Sequence, residues 1–315
     1  MERWLRGWQP FALMVVVLVA APFAVYPVLL MKALCFALFA CAFNLLLGQV
    51  GLLSFGHAMF FGVAAYASAD LAKEWGLGTV PAIALATLLS AVLGLVVGAI
   101  AIRRQGIYFA MITLGLAQMV YFLCLRAESL TGGENGVQAV PRGTLLGAVD
   151  LGANLPMYFF VLAVFLASFG VIARATHSPF GEVLRAIREH EPRATSLGYE
   201  VNRFKLVAFV LSAALTGLAG ATKAFVFQLA SLTDAHWQTS GEVVLMTLLG
   251  GMGRTYGPIF GAFLIVVLEH YLADFGGWVT VLRGAIFVLC VLAFRQGIAG
   301  TAMSFMRRGP GVHQR

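Results

Sequence analysis

The residues of this chain that could do chemistry are few, and their spacing excludes most reactions. Nucleotide hydrolysis needs a loop of the form GxxxxGK[ST], whose backbone amides cradle phosphates. The nearest string is GLAGATKA at 217–224, with Thr222 where the second glycine belongs and Ala224 where a hydroxyl belongs. Gly217 and Gly220 read instead as a small-residue face that lets a neighbouring helix approach. GGMGRTYG at 250–257 is not a dinucleotide turn, because Tyr256 occupies the last glycine position. HExxH and GxSxG are absent. His57, His177, His190, His236, His270 and His313 are scattered without metal-ligand spacing. Cys35, Cys41, Cys124 and Cys290 lie in apolar runs without a CxxC pair and read as small packing residues. The chain offers no catalytic residue, no metal site and no cofactor site of its own, so any work done with ATP must be done by a partner.

What remains is a set of polar residues inside apolar runs: Asn44, Gln49, Ser54, His57, Gln118, Lys223, Gln228, Glu242 and Glu269. A charge at mid-membrane costs about 2.5–3.5 kcal/mol on the insertion scale, so such residues need a reason. Gly48-Gln49-Val50-Gly51 is glycine-rich and lies between two apolar runs. Irregular backbone at membrane depth is tolerated where it lines protein or a water-filled cavity. Gln49, Ser54 and His57 are therefore expected at or near a translocation pathway; the alternative for His57 is an interfacial histidine satisfied by a carbonyl. Gln118 joins them as a candidate, with an interhelical hydrogen bond as its other reading, the one that suits Asn44. Glu242 reads as the partner of a basic residue or as an interfacial group near Trp237. Lys223 and Glu269 sit near span ends, where snorkelling suffices.

The elements that must position these residues are membrane helices. Of 315 residues, 60% are hydrophobic and 11% charged, and the mean hydropathy is +0.89. A soluble domain carries about a quarter charged residues. The apolar runs recur from end to end, so residues 1–315 read as a single all-α, polytopic membrane bundle. Runs of about 20 apolar residues fall at roughly 11–30, 32–47, 55–73, 79–102, 107–126, 156–174, 205–228, 238–252, 257–273 and 279–295. That makes ten spans, or eight to ten with the short eighth segment taken as re-entrant. Arg3 and Arg6 precede Phe11–Ala21 in the manner of a signal peptide, but Pro22 follows and the chain stays hydrophobic, which favours an uncleaved first helix.

The net charge of +7 does not point to nucleic acid, because Lys and Arg occupy the gaps between runs. With the N-terminus inside, Arg3, Arg6, Arg103, Arg104, Arg174, Arg185, Arg188, Arg193, Arg203, Lys205, Arg254, Arg295, Arg307, Arg308 and Arg315 are cytoplasmic, 15 of the 21 cations. Lys32, Lys73, Arg126, Arg142 and Arg283 fall outside. This satisfies the positive-inside rule and places both termini in the cytoplasm. The two long polar segments then face opposite ways, 127–155 outward and 175–204 inward.

The inner segment, SPFGEVLRAIREHEPRATSLGYEVNRFK at 178–205, predicts a short charged helix. Ser178 is its N-cap and Pro179 its first residue, and Val183, Leu184, Ile187 and the stem of Arg188 recur at helical spacing. Pro192 interrupts, and a second helix over 193–197 ends at Gly198. Alternating carboxylates and guanidinium groups suit a docking surface for a soluble protein; the other reading is a helix lying on anionic lipid. On the outer side, Thr131-Gly132-Gly133-Glu134-Asn135-Gly136 permits tight left-handed turns.

Five blocks in order carry a family resemblance: NLLLGQVGLLSFGHAMFFGVAAY (44–66), GIYFAMITLGLAQ (106–118), TGGENG (131–136), SPFGEVLRAIREHEPRATSLGY (178–199) and SGEVVLMTLLGGMGRTYGPIFGA (240–262). From about Asn44 to Thr301 the chain resembles the LivM-type permeases of bacterial branched-chain amino acid ABC transporters. Urea and short-amide permeases of the same superfamily share most of these blocks. The resemblance implies a multi-pass inner-membrane permease, two ATPase subunits that hold the ATP and magnesium, a related LivH-like second permease, and a periplasmic binding protein that delivers the solute. It implies that 178–199 is the ATPase-coupling loop, with Ser178, Pro179, Phe180, Gly181, Leu184, Arg185, Ile187, Arg188, Glu191, Arg193, Ala194 and Gly198 as its residues. ABC importers in general carry Glu-Ala-Ala, three residues, then Gly there. This chain keeps Ala194 and Gly198, with Pro192 and Arg193 where Glu and Ala would stand. The resemblance also implies that Thr131, Gly132, Gly133, Asn135 and Gly136 face the docked binding protein. A secondary transporter or channel would call for paired intramembrane carboxylates, and a membrane enzyme for a His/Asp/Glu cluster near one interface. Neither pattern is present.

Overall fold

A computed structural model describes residues 2–145 and 149–272, together with Val281, Gly284 and Ala285. The tenth expected span, 279–295, lies outside the described residues but for those three. The chain opens with α1 (Glu2–Ala20), a 3-10 turn at Ala21–Phe23, and α2 (Pro27–Asn44). The break expected after residue 30 therefore falls at 21–26. Pro22 sits in the turn and Pro27 takes the first turn of α2, where its missing N–H costs nothing. Hydropathy misses this break because both flanks are apolar. A π turn at Leu45–Val50 extends α2 and closes at Gly51, in the left-handed region with φ 82°.

Then follow α3 (His57–Lys73), α4 (Thr79–Ala101), α5 (Ile107–Arg126), the single turn α6 (Glu128–Thr131), and β1 (Val137–Gln138), β2 (Thr144–Leu145) and β3 (Val149–Asp150). The second half holds α7 (Asn154–Thr176), α8 (Pro179–Ser196), α9 (Val201–Phe227), β4 (Leu229–Ala230), α10 (Leu232–Ala235), α11 (Trp237–Gly250) and α12 (Gly257–Leu272). The two-residue strands pair antiparallel, β1 with β4 (Val137 opposite Ala230) and β2 with β3, and are the exception in a helical fold. Among the described residues, five of the expected spans qualify by length and composition to cross a membrane: Pro27–Val50, α4, α5, α7 and α9. Phe11–Phe23 and α12 are apolar but shorter. With 14 residues, α11 is about 21 Å long at 1.5 Å per residue, short of a hydrocarbon core of about 30 Å.

Two apolar helices show how one composition serves two solvents. In α2 the apolar residues run all round the helix and almost every side chain from Leu30 to Asn44 is buried, against α7, α9, α11 and α12. Such a helix belongs in a core or in lipid. In α4 the small residues Ala82, Ala86, Ser90, Gly94 and Ala101 are buried, while Leu88, Val92, Val96 and Ile100 point outward. Small residues let backbones approach in membranes, and α9 supplies the matching face. A Cβ on Gly217 would lie 2.3 Å from Ser90 Cβ, and one on Gly220 would lie 2.1 Å from Phe61 O of α3. Ser90 Oγ donates to Ala213 O at 2.8 Å across the α4–α9 crossing. The string that fails as a phosphate loop is thus the packing face between three helices.

The bundle has two polar ends. One carries α8, with Arg103, Arg104, Arg174, Arg185, Arg188, Arg193, Arg203, Lys205 and Arg254 near it; the other carries α6, α10 and the strands, with Lys32, Lys73, Arg126, Arg142 and Lys223. At this second end Lys32 meets Glu269 at 3.1 Å, joining the start of α2 to the end of α12.

Candidate functional site

The α8 segment is a helix broken in the middle: His190 leaves helical geometry, with φ −157° and ψ 86°. Ser178 precedes the helix in extended backbone, with Pro179 in the first turn. Its hydroxyl does not cap an amide but donates to Ala175 O at 2.7 Å, so it secures the preceding turn instead. At the far end Gly198 N donates to Thr195 O and Tyr199 N to Ala194 O, at 3.0 and 3.2 Å. With Gly198 at φ 87°, this is a Schellman ending. The interruption expected at Pro192 falls two residues earlier, at His190, within the turn where Pro192 has no N–H for the Arg188 carbonyl and its ring crowds that carbonyl.

Most of the residues anticipated in the coupling loop contact their own bundle. Gly181, Leu184, Ile187 and Ala194 are buried; a Cβ on Gly181 would lie 2.3 Å from Thr176 O. Ile187, Ala194 and Val201 form a small apolar cluster with Val183 and Phe204, and Phe180 stacks on Phe204 at 5.9 Å. Arg185 donates to Thr176 O at 2.9 Å and pairs with Glu182 at 2.9 Å. Arg188 donates to Gly48 O in the π turn. Glu191 accepts from Lys205 at 2.7 Å. The outward surface is made by Glu182, Ala186, Glu189, His190, Pro192, Arg193 and Leu197. Leu197 is 70% exposed, an apolar tip on an otherwise charged face that composition alone does not single out.

The four polar residues proposed for a pathway do not form one site. Ser54 and His57 lie together in the bundle interior, fully buried. His57 Nδ1 is 3.0 Å from Ser54 Oγ and Nε2 is 2.9 Å from Ser212 Oγ. Ser212 spends its one proton on Ala42 O, 2.6 Å away, so it accepts from His57, which is then the neutral Nε2–H tautomer with Nδ1 accepting from Ser54. Phe43, Phe60 and Phe209 meet the imidazole edge to face at 5.2 to 5.7 Å. His57 is a strut joining α2, α3 and α9. Nearby, a Cβ on Gly56 would lie 2.6 Å from Thr113 O of α5, and Ala58 N donates to Ser240 Oγ of α11 at 2.8 Å.

Gln49 lies apart, in the π turn at the α8 end. It is buried, with a long Nε2 contact of 3.5 Å to Gly253 O, and its Oε1 meets no hydrogen-bond donor among the described residues. Asn44 sits one turn earlier, with Nδ2 donating to Arg254 O and Oδ1 accepting from Gly253 N, both at 3.0 Å. This confirms its interhelical role and binds α2 to the turn between α11 and α12. Gln118 is elsewhere again, near the middle of α5 and half-buried, on a face whose exposed members include Met111, Gly115, Met119 and Phe122.

At the opposite end, Thr131 is buried and donates to Cys124 O at 2.5 Å. Gly132, Gly133 and Gly136 all have positive φ, and a Cβ on Gly136 would lie 2.2 Å from Ala230 O. Gly136 is therefore demanded by the approach of β4, and Gly132 by the Gly136 carbonyl within the turn, while Glu134 and Asn135 form the exposed tip. Arg142 clamps this loop to the bundle: Nε and Nη2 reach Phe225 O and Val226 O at the last turn of α9, at 3.1 and 2.6 Å. Partial burial lowers its pKa. Lys223 pairs with Asp234 of α10, so it is held rather than snorkelling. Asp234 and Ser212 are the functional neighbours that sequence reading misses, since nothing local marks either as a partner.

The kinked external helix, the buried polar struts and the five long apolar helices define a multi-pass membrane protein whose family the comparisons identify. Residues 26–294 match the family model described as branched-chain amino acid transport system / permease component. The chain is 32% identical over 277 residues to the high-affinity branched-chain amino acid transport system permease protein LivM of Salmonella typhimurium, covering 81% of this chain and 65% of that protein. The Escherichia coli LivM is 31% identical over the same length, with the same coverage. The ribose import permease protein RbsC of Bacillus subtilis is 29% identical over 179 residues, 52% of this chain and 51% of that protein. The chain belongs to the branched-chain amino acid transport permease family and is of the LivM type. It spans 65% of the length of the two LivM proteins. No solved structure matches it.

Proposed function

We propose that the chain is the membrane-spanning permease of an ABC importer that carries branched-chain amino acids across the bacterial inner membrane. The observation that carries this reading is α8: a helix outside the bundle, anchored by Arg185, Arg188 and Glu191 on its inner side and presenting Glu189, Arg193 and Leu197 outward. That is a seat for a soluble ATPase, and ATP and magnesium belong to that partner. Two ATPases sit beneath a pair of permeases, this chain and a LivH-like one. A periplasmic binding protein docks where Gly132, Glu134 and Asn135 are exposed. The cations gathered at the α8 end favour a cytoplasmic α8 by the positive-inside rule, with both termini on that side and ten spans in all. Gln118 supports a pathway along the α5 face, because a half-exposed amide at mid-helix is costly against lipid but not against water or a partner. Gln49 contributes an acceptor with no donor among the described residues near the inner mouth, and Ser54 with His57 stiffens the wall behind. The relatedness to ribose and autoinducer permeases keeps a sugar-like solute as a second reading, beside urea and short amides.

The test is to purify the tagged chain from its native membrane in a mild detergent and identify its companions by mass spectrometry. Two ATPases and a second permease are expected, with the ATPases lost on joint Glu189→Arg and Arg193→Glu reversal. Recovery of the chain alone, from a detergent that preserves a known ABC complex, overturns the reading. Titration of the co-encoded binding protein with leucine, urea, acetamide and ribose then decides the solute.

A further inference from the structure

Arg185, Arg188 and Glu191 occupy successive turns of α8, and each grips a different part of the bundle. Arg185 closes the last turn of α7 through Thr176 O at 2.9 Å. Arg188 lays its stem along Gly51, within 3.1 Å of where a Cβ would stand, and donates to Gly48 O. Its guanidinium also borders Gly253, which Asn44 ties to α2 at 3.0 Å. Arg188 thus holds the end of α2 and the α11–α12 turn together. Glu191 holds Lys205 at the start of α9, at 2.7 Å and with only 3% of the lysine side chain exposed. The break at His190 falls between the second grip and the third. Motion about His190 therefore changes the distance between the α2 corner and α9, two helices that Ser212 ties together through Ala42 O further up the bundle.

We propose that Arg188 and the Glu191–Lys205 pair are two separate transmission links, joined through a hinge at His190, that turn displacement of α8 into relative motion of the α2 corner and α9. This rests on the reading of α8 as the ATPase seat. Both links are built from positioning residues: Arg188, itself exposed, and Glu191 reach back to Gly48 O and Lys205 of the bundle. An ordinary structural anchor would alter stability and assembly; a transmission link alters the ratio of solute moved to ATP hydrolysed.

The experiment uses the full transporter with its binding protein, reconstituted in proteoliposomes, with ATP hydrolysis and solute uptake measured on the same preparation. Arg188→Ala and Glu191→Gln keep their ATPases on purification but move about tenfold less solute per ATP, the scale of an ordinary coupling free energy. Arg188→Lys, which can still donate to Gly48 O, recovers part of the loss, and joint Glu191→Lys and Lys205→Glu recovers more than Glu191→Lys alone. An unchanged ratio in assembled Arg188→Ala and Glu191→Gln transporters overturns the proposal. So does loss of the ATPases from these variants, since the residues would then be docking contacts. Should the variants not fold, spin labels at Ala186→Cys and Thr195→Cys in the otherwise native complex report on the hinge directly. A distance that shifts on ATP binding supports it and a constant distance overturns it. A wild-type chain that brings no ATPase overturns the underlying reading instead, and this inference falls with it.

Discussion

The two ends of α9 carry the same chemical device in different mechanical settings. At one end Lys205 meets Glu191, with side-chain exposures of 3% and 26%; at the other Lys223 meets Asp234, with 14% and 5%. Asp234 belongs to a capping box with Ser231, on a turn wedged so closely that a Cβ on Gly62 of α3 would lie 2.5 Å from Ala235 Cβ. Lys223 lies 5.9 and 5.6 Å from the ring centres of Phe61 and Phe227. Nothing in that arrangement can move alone. Glu191, by contrast, follows directly on the break at His190, on a helix outside the bundle. The comparison teaches that a buried ion pair is a clamp or a link according to the freedom of the element that carries its carboxylate.

The sharpest way to break the comparison is to neutralise each carboxylate in turn. Asp234→Asn strands Lys223 among aromatic rings and costs about 3–5 kcal/mol, the usual penalty for removing one partner of a buried pair. Glu191→Gln costs less, about 1–3 kcal/mol, because the Glu191 side chain is 26% exposed against 5% for Asp234, so water reaches the changed group. Thermal unfolding of the purified chain measures both. Equal losses at the two ends would abolish the distinction between clamp and link.

The middle of α9 comes next. Gly220→Val forces a side chain into a gap where even a Cβ would lie 2.1 Å from Phe61 O. Overpacking of this kind costs about 1–3 kcal/mol, and a backbone carbonyl gives way less easily than a side chain. Reduced yield of folded protein and a lower unfolding midpoint are expected. A midpoint unchanged from wild type would mean that α3 and α9 separate at little cost, and α9 would not act as a rigid rod. Ser212→Ala is the companion change. It leaves the His57 Nε2–H without its acceptor at 2.9 Å, and an unmet buried donor costs about 1–3 kcal/mol. Replacing His57 by Phe in the Ser212→Ala background removes the stranded donor and restores part of the loss; no restoration would show that the strut contributes through shape alone.

How much of this is legible in the sequence depends on the range of the signal. Ser178-Pro179, Pro192 and Gly198 are local marks, and they locate the helix, its break and its end within two residues. Apolar run length locates both ends of α5 and the start of α12 to within a residue, but not the turn at 21–26, where the breaking residues are themselves apolar. The polar residues inside runs announce that partners exist without naming them. Asn44 finds Gly253 at a separation of 209 residues, and His57 finds Ser212 at 155. Those pairings are created by the packing of α2 against α9 and the α11–α12 turn, and packing order is what hydropathy does not encode. The candidate pathway shows the same limit, since Ser54 and His57 face inward to α9 while Gln118 faces away from the core.

The smallest expected effect tests the link end without touching an ion pair. Gly198 closes α8 at φ 87° with open space where a Cβ would stand, so Gly198→Ala pays only for left-handed backbone, about 1 kcal/mol. That cost falls on the last turn of α8, where Tyr199 N reaches Ala194 O, and not on the α3–α9 packing. The unfolding midpoint of the bundle should stay within measurement error of wild type, while backbone amides of 194–199 exchange hydrogen several-fold faster. Glu191 lies one turn ahead of that ending, so Lys205 keeps its partner and the protection of α9 is unchanged. Faster exchange that spreads into α9 would mean that α8 and α9 open as one unit, and a hinge at His190 would then have no separate element to move.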